Sequence, residues 1–166
     1  LMTGLKDDAG NYTGYFDPES PVTRAQVATV LWRIAGSPSC SGSVLWDVRG
    51  HWAQEAVAWC ASKGVVTGYT GGPNAGCFLP DNQVTREELA TMVYRFAKWA
   101  GVKVSNPPKG SFNAASDTGA VSSWARDAMV WCSASGVLTG FAGGDRPLLL
   151  PQGTATRAQA AKIFTQ

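Results

Sequence analysis

Residues 16–36 read FDPESPVTRAQVATVLWRIAG, and nearly the same phrase returns twice, as FLPDNQVTREELATMVYRFAKWAG at 78–101 and LLPQGTATRAQAAKIFTQ at 149–166. Each copy places a proline turn (Pro18, Pro80, Pro151) ahead of a Thr-Arg pair (Thr23-Arg24, Thr85-Arg86, Thr156-Arg157) and an apolar run of helical period. A chain that repeats one phrase three times is built of repeated units, and the phrase decides how each unit folds.

A second phrase supports the division. HWAQEAVAWCASKGVVTGY at 51–69 matches SWARDAMVWCSASGVLTGF at 123–141, with Trp52/Trp124, Trp59/Trp131, Cys60/Cys132, Gly64/Gly136 and Gly68/Gly140 in register. The opening LMTGL aligns with the tails VVTGY and VLTGF. The expectation is that the chain begins inside repeat one and lacks that repeat's Trp helix. Three units follow: 1–36, 44–101 and 112–166. The Ser/Pro/Gly-rich stretches 37–43 and 104–111 join them. Within a unit, Trp52, Ala56, Trp59 and Lys63 keep helical spacing, and Gly64 stands where a left-handed cap ends a helix. Each full unit therefore reads helix, loop, helix, and the fold class is mainly α.

The threonine has a local explanation. Thr23, Thr85 and Thr156 each stand three residues before Gln26, Glu88 and Gln159, the spacing of a capping box. The arginine does not, because the helix dipole disfavours a cation at an N-terminus. Helical projection puts Arg24, Arg86 and Arg157 at the edge of the apolar stripes Val27/Val30/Leu31/Ile34, Leu89/Met92/Val93/Phe96 and Ala160/Ile163/Phe164. Two readings stay open. A guanidinium beside free helix N–H groups would hold an anion. Alternatively, its stem covers apolar surface and its head pairs with a carboxylate.

Composition narrows the classes. Apolar residues make up 45% and charged residues 16%; 14 Lys+Arg against 12 Asp+Glu give a net charge of +2, too little for a dense nucleic-acid-binding face. No apolar run of about 18 residues exists to span a membrane. Any export signal is expected outside this chain. Seven Trp and 19 Gly suit an aromatic-rich core or an extracellular domain that handles sugars. His51 reads as structural at a helix start. Asp7, Asp8 and Asn11 read as turn formers without EF-hand spacing. Asp47 and Asp117 precede the Trp helices and either cap a turn or pair with Arg24 and Arg86. Among the four cysteines, Cys60 and Cys132 read as small buried hydrophobes, while Cys40 and Cys77 lie in loops and could pair. No metal site, cofactor or nucleophile–base pair recurs in the repeats, so no catalysis is expected.

These motifs, taken in order, resemble the S-layer homology family. HWAQEAVAW, GVVTGY, FLP and TREE carry the resemblance in repeat two; SWARDAMVW, GVLTGF, LLP and TRAQ carry it in repeat three; FDP and TRAQ carry it in repeat one. The resemblance implies a pseudo-threefold trefoil of helix-loop-helix repeats around a central helix bundle. It implies noncovalent, extracellular anchoring to the cell wall through a peptidoglycan-bound secondary polysaccharide, in many members one bearing a pyruvate ketal. It also implies that the Thr-Arg arginine holds the ligand's acidic group. Leu149 in place of Phe and Ala155 in place of Ile or Val depart from the pattern and point to a third groove that is weaker or purely structural.

The candidate ligand-binding residues are Arg24, Arg86, Arg157, Asp47, Trp52, Gly68, Asp117, Trp124 and Gly140. Chain order pairs Arg24 with Trp52 and Arg86 with Trp124, with the Gly68 and Gly140 turns as groove rims. Arg157 is then expected to have no Trp helix after it, so that two sites are expected in this chain and the third stays open or is filled by another copy. The rival expectation is a protein–protein or lattice module that keeps the fold without binding glycan.

Overall fold

The computed structural model describes residues 2–5, 7, 9–104, 112 and 115–165. Apart from Val104, the linker expected at 104–111 lies outside the described residues, as does Asp8. The described residues form five α-helices: α1 Arg24–Ile34, α2 Gln54–Ser62, α3 Arg86–Trp99, α4 Arg126–Ala134 and α5 Arg157–Ile163. Strand-like pairing among them is confined to isolated bridges. None of these helices is long and apolar enough to cross a membrane.

The Thr-Arg helices begin as their sequences require. Thr23, Thr85 and Thr156 accept from the backbone N–H of Gln26, Glu88 and Gln159, whose side chains reach back to the capping threonine's N–H. The Trp helices start later than the periodicity suggests. Trp52 lies in the turn before α2, and Trp124 in a 3-10 turn, Ser123–Ala125, ahead of α4. Ala53, the N-cap residue before α2, offers no side-chain cap. Instead His51 Nδ1 accepts the Ala53 N–H at 3.1 Å, which fixes the proton on Nε2, 3.1 Å from Asp81 Oδ1. His51 is thus a structural residue. Both Trp helices end at a left-handed glycine, Gly64 (φ +68) and Gly136 (φ +74).

The three Thr-Arg segments meet at a closed ring of backbone hydrogen bonds. Val22 N–H donates to Ala155 O, Ala155 N–H to Val84 O, and Val84 N–H to Val22 O, all within 2.9–3.0 Å. All three residues are fully buried. The first two N–H groups of each Thr-Arg helix then donate to the proline turn of the next repeat. Arg24 and Ala25 reach Asn82 O and Pro80 O; Arg86 and Glu87 reach Gly153 O and Pro151 O; Arg157 and Ala158 return to Ser20 O and Pro18 O. With the third N–H taken by threonine, these helix ends have no donors left for an anion. That closes the reading in which free helix N–H groups hold a ligand.

Around this ring α1 packs on α2, and α3 on α4 and α1. Cys60 Sγ lies 3.4 Å from Ala28 O, and Cys132 Sγ 3.6 Å from Ala90 O, at equivalent places in the two pairs. Both are buried small residues, and burial pushes each thiol up to about 12. All four cysteines are free thiols, so the Cys40–Cys77 pair considered from sequence does not form.

Candidate functional site

The proline turns contain a left-handed, non-glycine residue at one equivalent position: Asp17 (φ +51), Leu79 (φ +55) and Leu150 (φ +50). Such backbone is costly and needs fixing from outside. Asp47 and Asp117 supply that. The Asp47 carboxylate accepts the Phe78 N–H (2.9 and 3.0 Å to its two oxygens) and the Leu79 N–H (2.7 Å). Asp117 accepts those of Leu149 (2.8 Å) and Leu150 (2.7 Å). The carbonyl of the residue just before the left-handed one is held by arginine. Arg24 Nε donates to Phe78 O at 2.7 Å, Arg86 Nε to Leu149 O at 2.7 Å and Arg157 Nε to Phe16 O at 2.8 Å. The two aspartates therefore neither cap their own turns nor bond the arginines. Each shares one residue of the next turn with an arginine.

The arginine heads are spent on protein. Arg24 also donates to Glu88 Oε1 (2.9 Å) and Thr67 O (3.4 Å), Arg86 to Gln159 Oε1 (3.0 Å) and Thr139 O (2.9 Å), and Arg157 to Thr3 O (2.9 Å). Their guanidiniums lie 4.6–4.7 Å from the ring centres of Tyr69, Phe78, Phe141 and Phe16. Exposure is 7%, 3% and 5% for Arg24, Arg86 and Arg157. Burial holds the Arg86 pKa below its ordinary value, opposed by the charge of Asp117. The helix-edge position inferred from sequence understates this burial. The projection sees only one helix, and the neighbouring repeat's loop closes over the arginine.

A groove of about 320 Å³ opens beside Arg24. Thr67, Gly68, Tyr69 and Thr70 form one wall, and Glu88, Thr91, Met92 and Arg95 of α3 form the other. Trp124, 57% exposed, stands at its side. The indole in this groove is not Trp52, which is 64% exposed and tilted against His51 with ring centres 5.1 Å apart. The chain-order pairing of Arg24 with Trp52 shifts because each arginine reaches forward into the next repeat. The groove beside Arg24 is bounded by the Trp124 turn, one repeat further on.

Gly68 lines the groove, but its own loop fixes its identity. A Cβ there would come within 3.1 Å of the Gly76 and Cys77 backbone, and one on Gly140 within 2.9 Å of Pro147 Cβ. Close backbone packing within their own loops therefore requires glycine at both positions.

Glu88 connects the pieces. It accepts the Thr85 N–H (2.9 Å), the Tyr69 hydroxyl (2.8 Å) and Arg24. Burial is the main cause raising the Tyr69 pKa, and the Glu88 bond adds to it. Arg95 donates to Thr67 Oγ1 at 3.3 Å, and no carboxylate among the described residues pairs with it. Burial, then the charge of Arg24, lower its pKa. Sequence reading missed Arg95, Thr67 and Tyr69. The available signal was Glu88, Thr91, Met92 and Arg95, spaced as one helix face on which three of the four are polar. Among the described residues no cluster of His, Cys, Asp or Glu could hold a metal.

The S-layer homology domain model matches residues 47–90 and 116–161. The chain is 30% identical to an endoglucanase of Bacillus sp. (strain KSM-635) over 90% of its own length and 15% of that protein's. It is 31% identical to a cellulosome-anchoring protein of Acetivibrio thermocellus over 53% of this chain and 20% of that one. It therefore spans a fifth or less of either relative's length. An undecaheme cytochrome from the S-layer of Carboxydothermus ferrireducens shares the fold, with a TM-score of 0.55, 18% identity, 89% coverage of this chain and 17% of that one. The family match, the long alignment and the shared fold agree, and the chain belongs to the S-layer homology domain family.

Proposed function

We propose that the chain is a cell-surface anchoring module that binds an acidic cell-wall polysaccharide in the groove bounded by Tyr69, Arg95 and Trp124. Membership of the family and the name of the cellulosome-anchoring relative support the anchoring role. The endoglucanase relative fits the same role, since the matching segment is only 15% of that protein. The observation that carries the glycan reading is the groove itself. An exposed indole, Trp124, and a cation without a carboxylate partner among the described residues, Arg95, line one cleft. An indole offers a flat apolar face to a sugar ring, and a guanidinium without a carboxylate partner offers a fork to its acid substituent. The polysaccharide is peptidoglycan-bound and carries a pyruvate ketal.

Cosedimentation with purified wall sacculi tests this. The protein is expected to pellet with intact sacculi and to stay in solution after mild acid removes the ketal. Equal pelleting with stripped peptidoglycan would replace the glycan reading with another surface partner.

A further inference from the structure

Each Thr-Gly turn with a described second cation lies between two positive groups. The Thr67 carbonyl accepts from Arg24 Nη2, and its hydroxyl meets Arg95 Nη1 at 3.3 Å. Thr139 repeats the arrangement: its carbonyl accepts from Arg86 Nη2, and Lys162 Nζ lies 3.4 Å from its hydroxyl. The second cation differs in chemistry and in place. Lys162 occupies the helix position that Thr91 holds in α3, one turn earlier than Arg95. Two unlike side chains from two unlike helix positions reach equivalent threonine hydroxyls in two repeats. A fold requirement would have kept one residue at one position, as it does for the Thr-Arg arginine.

The two cations of each pair are in different states. Arg24 and Arg86 are buried and committed through Nε, Nη1 and Nη2 to protein oxygens. Arg95 and Lys162 have no carboxylate partner among the described residues and keep only a long contact to threonine. Holding a second cation beside the first is unfavourable unless an anion joins them. In the first groove Glu88 bonds Arg24 and not Arg95; at the Thr139 turn Gln159 stands in the place of Glu88, Arg86 has the charge of Asp117 near it, and Lys162 has no carboxylate partner among the described residues.

We infer that the carboxylate of an acidic sugar is held by Arg95 in the Thr67 groove and by Lys162 at the Thr139 turn, with Arg24 and Arg86 acting as the frame. This rests on the glycan reading above. It moves the anion contact away from the arginine that the family resemblance implies. Arg95 can take the carboxylate through two parallel N–H bonds, whereas Lys162 offers a point charge, so the first site is the more selective for the acid's orientation.

The test titrates the full chain with a pyruvate-ketal monosaccharide and with its methyl ester. R95Q/K162Q is expected to bind the free acid about 10- to 100-fold more weakly than the unsubstituted chain, the value of a charge-assisted hydrogen bond. The ester is expected to bind both proteins equally, and Arg95→Lys to recover part of the loss. Undiminished binding of the acid by the double variant overturns the assignment, as does an ester that binds the unsubstituted chain as tightly as the acid. Sacculi that pellet R95Q/K162Q normally but not Trp124→Ala overturn it while leaving the glycan reading intact. Failure of the unsubstituted chain to bind either ketal or sacculi overturns both.

Discussion

At the scale of single residues, the Thr-Arg pair divides its work. Threonine closes its own helix, and arginine fixes the next repeat. Replacing Arg24 with Ala leaves the Phe78 carbonyl without its donor and Glu88 without its cation, in a site that buries Arg24 to 7% exposure. Loss of one partner from such a buried pair costs about 3 kcal/mol or more. Urea unfolding of Arg24→Ala is expected to show that loss, and Arg24→Lys most of it, because an ammonium cannot serve three divergent acceptors. Thr85→Ala removes only a cap and is expected to cost about 1 kcal/mol. Leu150 is strained by its positive φ, while it is 41% exposed. Leu150→Asn, a residue that tolerates this backbone, is expected to stabilise by up to about 1 kcal/mol. An unchanged midpoint for Arg24→Ala would show that the arginine is not structural.

At the scale of elements, the α1–α2 and α3–α4 pairs are closed by Cys60 and Cys132 against the facing helix backbone. Their folded pKa near 12 stands above the ordinary thiol value of 9.0. A raised folded value means that the native state holds its proton while the unfolded chain gives it up. The contribution is complete below pH 9 and is lost as pH rises from about 9 toward about 12. Urea midpoints measured between pH 8 and 10.5 are expected to fall, and to fall less steeply in Cys60→Ala/Cys132→Ala. Equal slopes for both proteins would remove the thiols as the cause.

The same scale explains what the sequence made legible. The caps and helix ends at Thr23, Thr85, Thr156, Gly64 and Gly136 depend on neighbours within a few residues, so spacing alone reveals them. The arginine's purpose depends on Phe78, 54 residues away, and that of Asp47 on a residue 31 away. Spacing carries no signal across such distances. Trp124, inferred as a ligand residue, lies in the groove, but beside Arg24 rather than Arg86. Assigning it needed the forward reach of each arginine, which only the assembled ring displays.

At the scale of the whole molecule, hydrogen bonds run from each repeat to the next and back to the first. Arg157 donates to Phe16 and Thr3 across most of the chain, and the Val22–Ala155–Val84 ring closes at the centre. Repeats tied in a ring unfold together, unlike a linear array whose units respond to their neighbours alone. Calorimetry is expected to give one transition with equal van't Hoff and calorimetric enthalpies; two separated transitions would contradict the ring. Outside this frame lies the groove of Tyr69, Arg95 and Trp124. The most direct test of that groove as the anchoring site is the binding isotherm of Trp124→Ala on purified wall sacculi. Trp124 is mostly exposed, so the variant is expected to melt with the unsubstituted protein while its affinity for sacculi falls about tenfold or more, the worth of a lost aromatic contact. A variant that melts normally and binds sacculi as tightly as the unsubstituted chain would contradict the account.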